Sequence, residues 1–235
     1  MTREERKVVL FDIDGTLLIS HGAGRRAMES ALREVFGAIG PTSYRYDGKT
    51  DKLIVRETMR LEGFDDATIN ARMDAVIAMY LDRLRANLAS TAHGAYSLPG
   101  VMTLLDAVGS DDRLVVGLLT GNVVDGAAAK LRAVAIAPEQ FALGAYGSDH
   151  EDRPMLPPIA RSRASALLGY EVAGEQLVII GDTPADVHCG SGLGARAIAV
   201  ATGAYSVDEL EACGPSVTLA DLTDTAQVME AILDA

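Results

Sequence analysis

The sequence predicts an α/β protein, a doubly wound and mainly parallel sheet with a block of helices inserted after its first strand. Three observations predict it. Apolar runs of strand length recur at 8–11, 114–119, 141–145, 177–180 and 197–200, with a weaker one at 216–219. Helical periodicity fills the intervals between the later runs, the alternation expected when helices cover both faces of parallel strands. Between about 19 and 94 the alternation stops and the texture is helical throughout. The expected organisation is therefore a core made of 1–18 and 95–235, with 19–94 as a separate helical unit set beside the end of the first strand.

The first run, Val8, Val9, Leu10 and Phe11, is continuously apolar and starts with β-branched residues, as suits a strand covered on both faces. It ends in acid. Asp12 and Asp14 are two apart, so in extended backbone their side chains leave on the same side, and Gly15 then allows a sharp turn. Open α/β sheets place their ligands at such strand ends. Two carboxylates this close are unfavourable unless they share a proton or a cation, and Mg²⁺, which prefers oxygen ligands, is the natural candidate. An exposed acidic turn after an edge strand is the alternative reading of this stretch alone.

In the insertion, Ala27, Ala31, Leu32 and Val35 predict a helix over 23–36, ended by Gly37, Gly40 and Pro41. A second helix is expected over 51–61, with Leu53, Ile54, Thr58 and Leu61 facing inward and Gly63 closing it. Ile69, Met73, Val76, Ile77, Tyr80, Leu81, Leu84 and Leu88 keep a three-four rhythm that predicts a third helix over about 65–88. No strand is expected in this block. Pro99 then suits the first turn of a helix through Leu105 and Val108, and a last helix is expected over 224–233.

Two more constellations end strands. Thr120-Gly121-Asn122 offers a hydroxyl, a flexible glycine and an amide, which suit phosphoryl oxygens and suit an ordinary turn equally well. Gly181-Asp182-Thr183-Pro184-Ala185-Asp186 again runs a buried strand into acid, with a second carboxylate in the first turn of a helix begun by Pro184. A helix capped by Asp182 would explain this stretch alone. The same strand-then-acid pattern occurring twice makes that explanation the weaker one.

Composition narrows the partners. Across 235 residues, 33 acidic against 21 basic side chains give a net charge of −12, which argues against a nucleic-acid footprint and provides no polybasic membrane patch. No apolar stretch of membrane-spanning length and no signal-type core is present, and residues 1–7 carry mixed charge. Cys189 and Cys213 lack metal-ligand spacing and form no disulfide framework, so a reducing cytoplasm is the expected location.

Taken together, Asp12-Ile13-Asp14-Gly15-Thr16-Leu17, Thr120-Gly121-Asn122 and Gly181 to Asp186 resemble the motifs of the haloacid dehalogenase-like (HAD) hydrolase superfamily, in the branch with a helical cap inserted after the first motif. The run Gly48-Lys49-Thr50-Asp51 resembles the cap loop of phosphoglycolate phosphatase-like members, and its residue types equally suit a turn and helix start. The resemblance spans nearly the whole chain. It implies a Rossmann-like core, and a Mg²⁺-dependent phosphatase acting on a small phosphorylated metabolite through an aspartyl-phosphate on Asp12. Asp14 would be the general acid and base. Mg²⁺ would be held by Asp12, the Asp14 carbonyl, Asp182 and Asp186, while Thr120, Gly121 and Asn122 bind the phosphoryl group. Asp14 also disfavours carbon–halogen and carbon–phosphorus cleavage, since family members with those reactions lack an acid at this place. The alternatives are a phosphosugar mutase of the same fold and a noncatalytic phosphate-binding or regulatory protein.

One departure from the family pattern stands out. The usual lysine ahead of the helix preceding the Gly-Asp motif is missing, and the best match is Arg153-Pro154. Arginine keeps the charge in a larger, forked group. Arg161, Arg163 or a surface ion pair are the competing readings. In the cap, Lys49 and Arg56 are candidate substrate contacts, as is His21 in the loop after the first strand. The polar run 148–152 reads as an exposed loop that positions Arg153.

Overall fold

The computed structural model of the protein describes residues 6–90 and 94–234; the mixed-charge opening at residues 1–5 lies outside them. Six parallel strands form one sheet: β1 (Lys7–Phe11), β4 (Leu114–Thr120), β5 (Leu143–Tyr146), β6 (Leu177–Gly181), β7 (Arg196–Val200) and β8 (Val217–Leu219). Their order is β5-β4-β1-β6-β7-β8. The chain builds leftward from β1 through β4 and β5, then returns to β6 on its other side. The order therefore reverses at β1, and open α/β sheets bind ligands at the carboxyl end of such a reversal.

The pleat explains why these strands are apolar throughout. Val9 and Phe11 of β1, with Val116, Leu118, Val178 and Ile180, form one cluster with α4 (Val101–Gly109) and α9 (Thr225–Asp234). Val8 and Leu10, with Val115, Leu119, Leu177 and Ile179, form another with α6 (Leu156–Leu168). Alternate residues thus feed opposite layers, so the inner positions of β1, β4 and β6 are apolar on both faces.

The helices α1 (Ala23–Phe36), α2 (Asp51–Leu61) and α3 (Asp66–Ala89) share an apolar core of their own, in which Met28, Leu32, Ile54, Met59, Ile69 and Tyr80 are buried. Asp65 caps α3 by accepting from Thr68 N at 2.7 Å, and Thr50 caps α2 by accepting from Leu53 N at 3.2 Å. The chain enters and leaves this block through a two-stranded antiparallel pair, β2 (Leu18–Ile19) with β3 (Tyr96–Ser97), closed by Leu98 N on Leu17 O at 3.0 Å. The sequence offered no strand here, because each is two residues long and its partner is far away in sequence.

Two local expectations change. Leu61 is exposed rather than inward, because it lies in the last turn of α2, and Val55 and Met59 fill the inner face instead. Pro99 precedes its helix, whose cap is Gly100 at φ 83°; a Cβ there would sit 2.1 Å from the Leu222 carbonyl oxygen. No described helix is long and apolar enough to cross a membrane.

Candidate active site

β1 and β6 are neighbours in the sheet, with Phe11 opposite Ile180. Their carboxyl ends therefore deliver Asp12 and Asp182 side by side, and Asp12 N donates to Ile180 O at 2.9 Å. Asp186 follows in the first turn of α7 (Pro184–Cys189), where it forms a capping box with Thr183; its Oδ2 accepts from Thr183 N at 3.0 Å and Thr183 Oγ1 at 2.7 Å. Asp12, Asp182 and Asp186 each present an oxygen within 4.8 Å of the others, and all three are buried.

The backbone is shaped around these acids. Gly15 has φ 83°, and a Cβ there or at Gly203 would lie 2.3 Å or 1.7 Å from Asp182 Oδ2. Thr16 Oγ1 donates to Asp182 Oδ1 at 3.0 Å. Burial pushes the Asp12 carboxyl up to about 6, against the opposing pull of Arg153. Burial, with the charges of Asp186 and Asp12, raises Asp182 well above the usual carboxylate range.

Arg153 is the cation of this cluster. The chain leaves β5 through a loop at 147–152 and turns once through a 3-10 segment, Arg153–Met155, before α6. That turn places the guanidinium 3.2 Å from Asp12 Oδ1 and in contact with Asp186 Oδ1. Its Nε is buried without a hydrogen-bond partner. Arg163, a competing candidate, pairs with Asp149 at 2.7 Å.

Asp14 lies on the other side of Asp12, with its side chain 40 % exposed. Its Oδ2 accepts from Asn122 Nδ2 at 2.8 Å and from Lys130 Nζ at 2.6 Å. Asn122 follows β4, where Nδ2 also reaches Thr120 Oγ1 at 2.9 Å. Gly121 is required by packing: a Cβ there would lie 2.1 Å from the Lys49 carbonyl oxygen, because the loop before α2 passes directly over it. Asp51 N donates to Gly121 O at 2.8 Å, and Val123 N donates to Asp51 Oδ2 at 2.8 Å.

The result is one cleft of about 680 Å³ between sheet edge and helical block. Asp12, Asp14, Thr120, Gly121, Asn122, Lys49, Arg153 and Asp182 line it, while Asp186 sits behind Arg153. Lys49 Nζ is held 2.5 Å from Glu57 and 4.6 Å from the Tyr44 ring centre. His21 is exposed at the rim with φ 46°, its ring 5.6 Å from that of Tyr96.

Arg56 is not a cleft residue. Its Nε donates to Glu151 at 2.8 Å and its Nη2 to Asn70 at 2.9 Å. The 148–152 loop is correspondingly more than a solvated connection, since Thr50 Oγ1 donates to Glu151 O at 2.5 Å and Lys52 Nζ to Ser148 O at 3.1 Å. It is where the helical block docks on the core.

Sequence reasoning missed Lys130 and the ionic role of Asp51. Lys130 shares the buried face of α5 (Val124–Ala133) with Gly126, Ala127 and Leu131. That one-turn spacing, a lysine among small apolar residues, is the local signal that marks it.

Residues 157–225 match the family described as HAD-hydrolase-like. The matched stretch runs from the start of α6 to the start of α9 and contains Asp182 and Asp186. No curated protein matches the chain. Among solved structures, the chain is similar to a hydrolase from Pseudomonas syringae, with a TM-score of 0.73 and 20% identity over 97% of this chain and 99% of that one. It is similar to CbbY from Rhodobacter sphaeroides in complex with phosphate, with a TM-score of 0.72 and 19% identity over 93% and 96% of the two chains. It is also similar to a protein described as a predicted phosphoglycolate phosphatase from Haemophilus somnus 129PT, with a TM-score of 0.69 and 17% identity over 97% and 99%. At these identities the likeness is one of fold, and it extends through the helical block as well as the sheet.

Proposed function

We propose that this protein is a HAD-like hydrolase, a Mg²⁺-dependent phosphatase acting on a small phosphorylated metabolite with Asp12 as nucleophile. The observation that carries the reading is the charge imbalance at the strand ends: three buried carboxylates lie within 4.8 Å of one another, and one guanidinium pairs with two of them, Asp12 and Asp186. Burying charges without partners is unfavourable by several kcal/mol each, so the cluster suits a divalent cation, and an all-oxygen donor set suits Mg²⁺. Asp12, the Asp14 carbonyl and Asp182 would hold it, with Asp186 engaged directly or through water. When bound, the ion supplies charge neutralisation for the nucleophile and the phosphoryl oxygens.

The chain's own groups then divide the work. Thr120, the Gly121 N–H and Asn122 orient the phosphoryl group, and the unpaired Arg153 Nε is a further donor at the same place. An Asp12 oxygen attacks phosphorus while Asp14 gives a proton to the departing alcohol oxygen, leaving an aspartyl-phosphate. Asp14 next takes a proton from a water that attacks the same phosphorus, and Asp12 leaves as carboxylate. The helical block excludes bulk water from the first step. Lys49 reaches a substrate only by exchanging Glu57 for it.

The test is phosphate release from a panel of phosphorylated metabolites, with Mg²⁺ and with chelator, beside Asp12→Asn. Release that needs the metal and falls on the order of 10⁴-fold or more in the variant supports the reading. Release unaffected by the substitution would exclude it. Sugar-phosphate interconversion without free phosphate would identify a mutase instead.

A further inference from the structure

Among the described residues Lys130 is the buried lysine, and the reaction proposed above gives it no part. It stands on α5, facing the cleft, with a side chain only 6% exposed. Burial works against its ammonium, but Asp14 and Asp51 outweigh burial and the net displacement is upward. The surroundings are built for it from several elements. Gly24 of α1 leaves the space, since a Cβ there would lie 3.3 Å from Nζ and 3.5 Å from Cε. Asp51 is buried at the start of α2, beside Tyr80 of α3, and accepts a hydrogen bond from Val123 N at 2.8 Å.

An ammonium can only donate, so the Asn122 side-chain oxygen must face it, and Lys130 Nζ lies 2.6 Å from Asn122 Oδ1. That contact turns the Asn122 amide nitrogen toward Asp14 Oδ2 at 2.8 Å. Lys130 Nζ itself donates to the same Asp14 oxygen at 2.6 Å. Two donors therefore occupy Oδ2, and a proton carried by Asp14 belongs on Oδ1.

We propose that Lys130 is a positioning residue for Asp14: through its own bond and through Asn122 it fixes the carboxyl so that the transferable proton sits on Oδ1. This rests on the phosphatase reading. In the first step the Asp12 oxygen–phosphorus bond forms, the phosphorus–ester oxygen bond breaks, and the Oδ1 proton passes to that ester oxygen. An alkyl leaving group needs the proton, whereas 4-nitrophenolate departs without it.

The experiment compares kcat/KM for the best alkyl phosphate of the panel and for 4-nitrophenyl phosphate in the wild type, Lys130→Met and Gly24→Ala. kcat/KM reports only the steps through departure of the alcohol. Lys130→Met is expected to lose roughly 10²-fold on the alkyl ester and less than about threefold on the nitrophenyl ester. Gly24→Ala keeps every charge and improves helix propensity, so it serves should Lys130→Met fail to fold. Its methyl displaces the ammonium by a few tenths of an ångström, and it should show the same split at about three- to tenfold. Equal losses on both esters in Gly24→Ala, or no loss on the alkyl ester, would overturn the positioning role while leaving the phosphatase reading intact. A wild type that hydrolyses neither ester would overturn both.

Discussion

Two ionic clusters face the same cleft, and they are built in different ways. The first comprises Asp12, Asp182, Asp186 and Arg153. It arises where adjacent parallel strands end, and of its three carboxylates Asp12 and Asp186 share one guanidinium while Asp182 accepts from Thr16. The second comprises Asp14, Asp51 and Lys130, assembled from the turn after β1, the start of α2 and the middle of α5, with Tyr80 of α3 behind. Here two carboxylates share one ammonium, and Val123 N and Asn122 supply further hydrogen bonds. The first cluster is short of positive charge and is suited to take a cation. The second is closed upon itself and is suited to hold a geometry. Asp12 and Asp14 belong to the same strand end but to different electrostatic systems.

The largest effect should come from opening the first cluster. Arg153→Met leaves Asp186 and Asp12 without their cation, and loss of one partner of a buried pair costs about 3–5 kcal/mol. A large drop in thermal midpoint is expected in chelator, partly restored by Mg²⁺; a midpoint unchanged in chelator would mean that the carboxylates do not depend on Arg153.

A smaller effect distinguishes the second cluster. Burial pushes the Asp51 carboxyl from 3.8 up to about 6, against the pull of Lys130. The folded state then keeps a proton that the unfolded state has released between about pH 4 and 6. Stability is consequently highest below that window, falls as pH rises through it and is level above, by at most about 3 kcal/mol. Asp51→Asn should reduce the slope of the unfolding free energy across this window and leave the part due to Asp12, which burial raises to about 6 as well. An unchanged slope would place the titrating group elsewhere.

The smallest effect is expected outside both clusters. Arg56→Gln removes the partly exposed pair with Glu151, worth about 1 kcal/mol or less. KM should stay within about twofold, since Arg56 holds the helical block to the core and does not line the cleft. A larger rise in KM would return it to the substrate.

The two clusters also differ in how legible they were. Asp12 and Asp182 each end an apolar run, and the pleat that buries Val8 to Phe11 on both faces forces the next polar residue to the sheet edge. A short window of sequence contains that argument. Arg153 was readable only through the family resemblance, as the cation nearest to the place of the missing lysine ahead of α6. Lys130 and Asp51 were not, because their meeting depends on how α2 and α5 approach across the insertion, and each alone resembles an ordinary helix residue. The β2–β3 pair eluded the sequence for the same reason: its register is set by where the helical block begins and ends. Pattern reasoning placed the helices to within a residue or two but turned Leu61 inward, because periodicity does not say where the packing partner stops.

The central claim is that the sheet-edge acids present Asp12 as a phosphate acceptor. Acid quenching during turnover with Mg²⁺ and the best substrate, followed by mass spectrometry of the peptide that contains Asp12, tests it most directly. A phosphoryl mass increment on Asp12, absent in Asp12→Asn and without metal, is the predicted result. Steady phosphate release under single-turnover quenching at every time point, with Asp12 never modified and Asp12→Asn fully active, would contradict it.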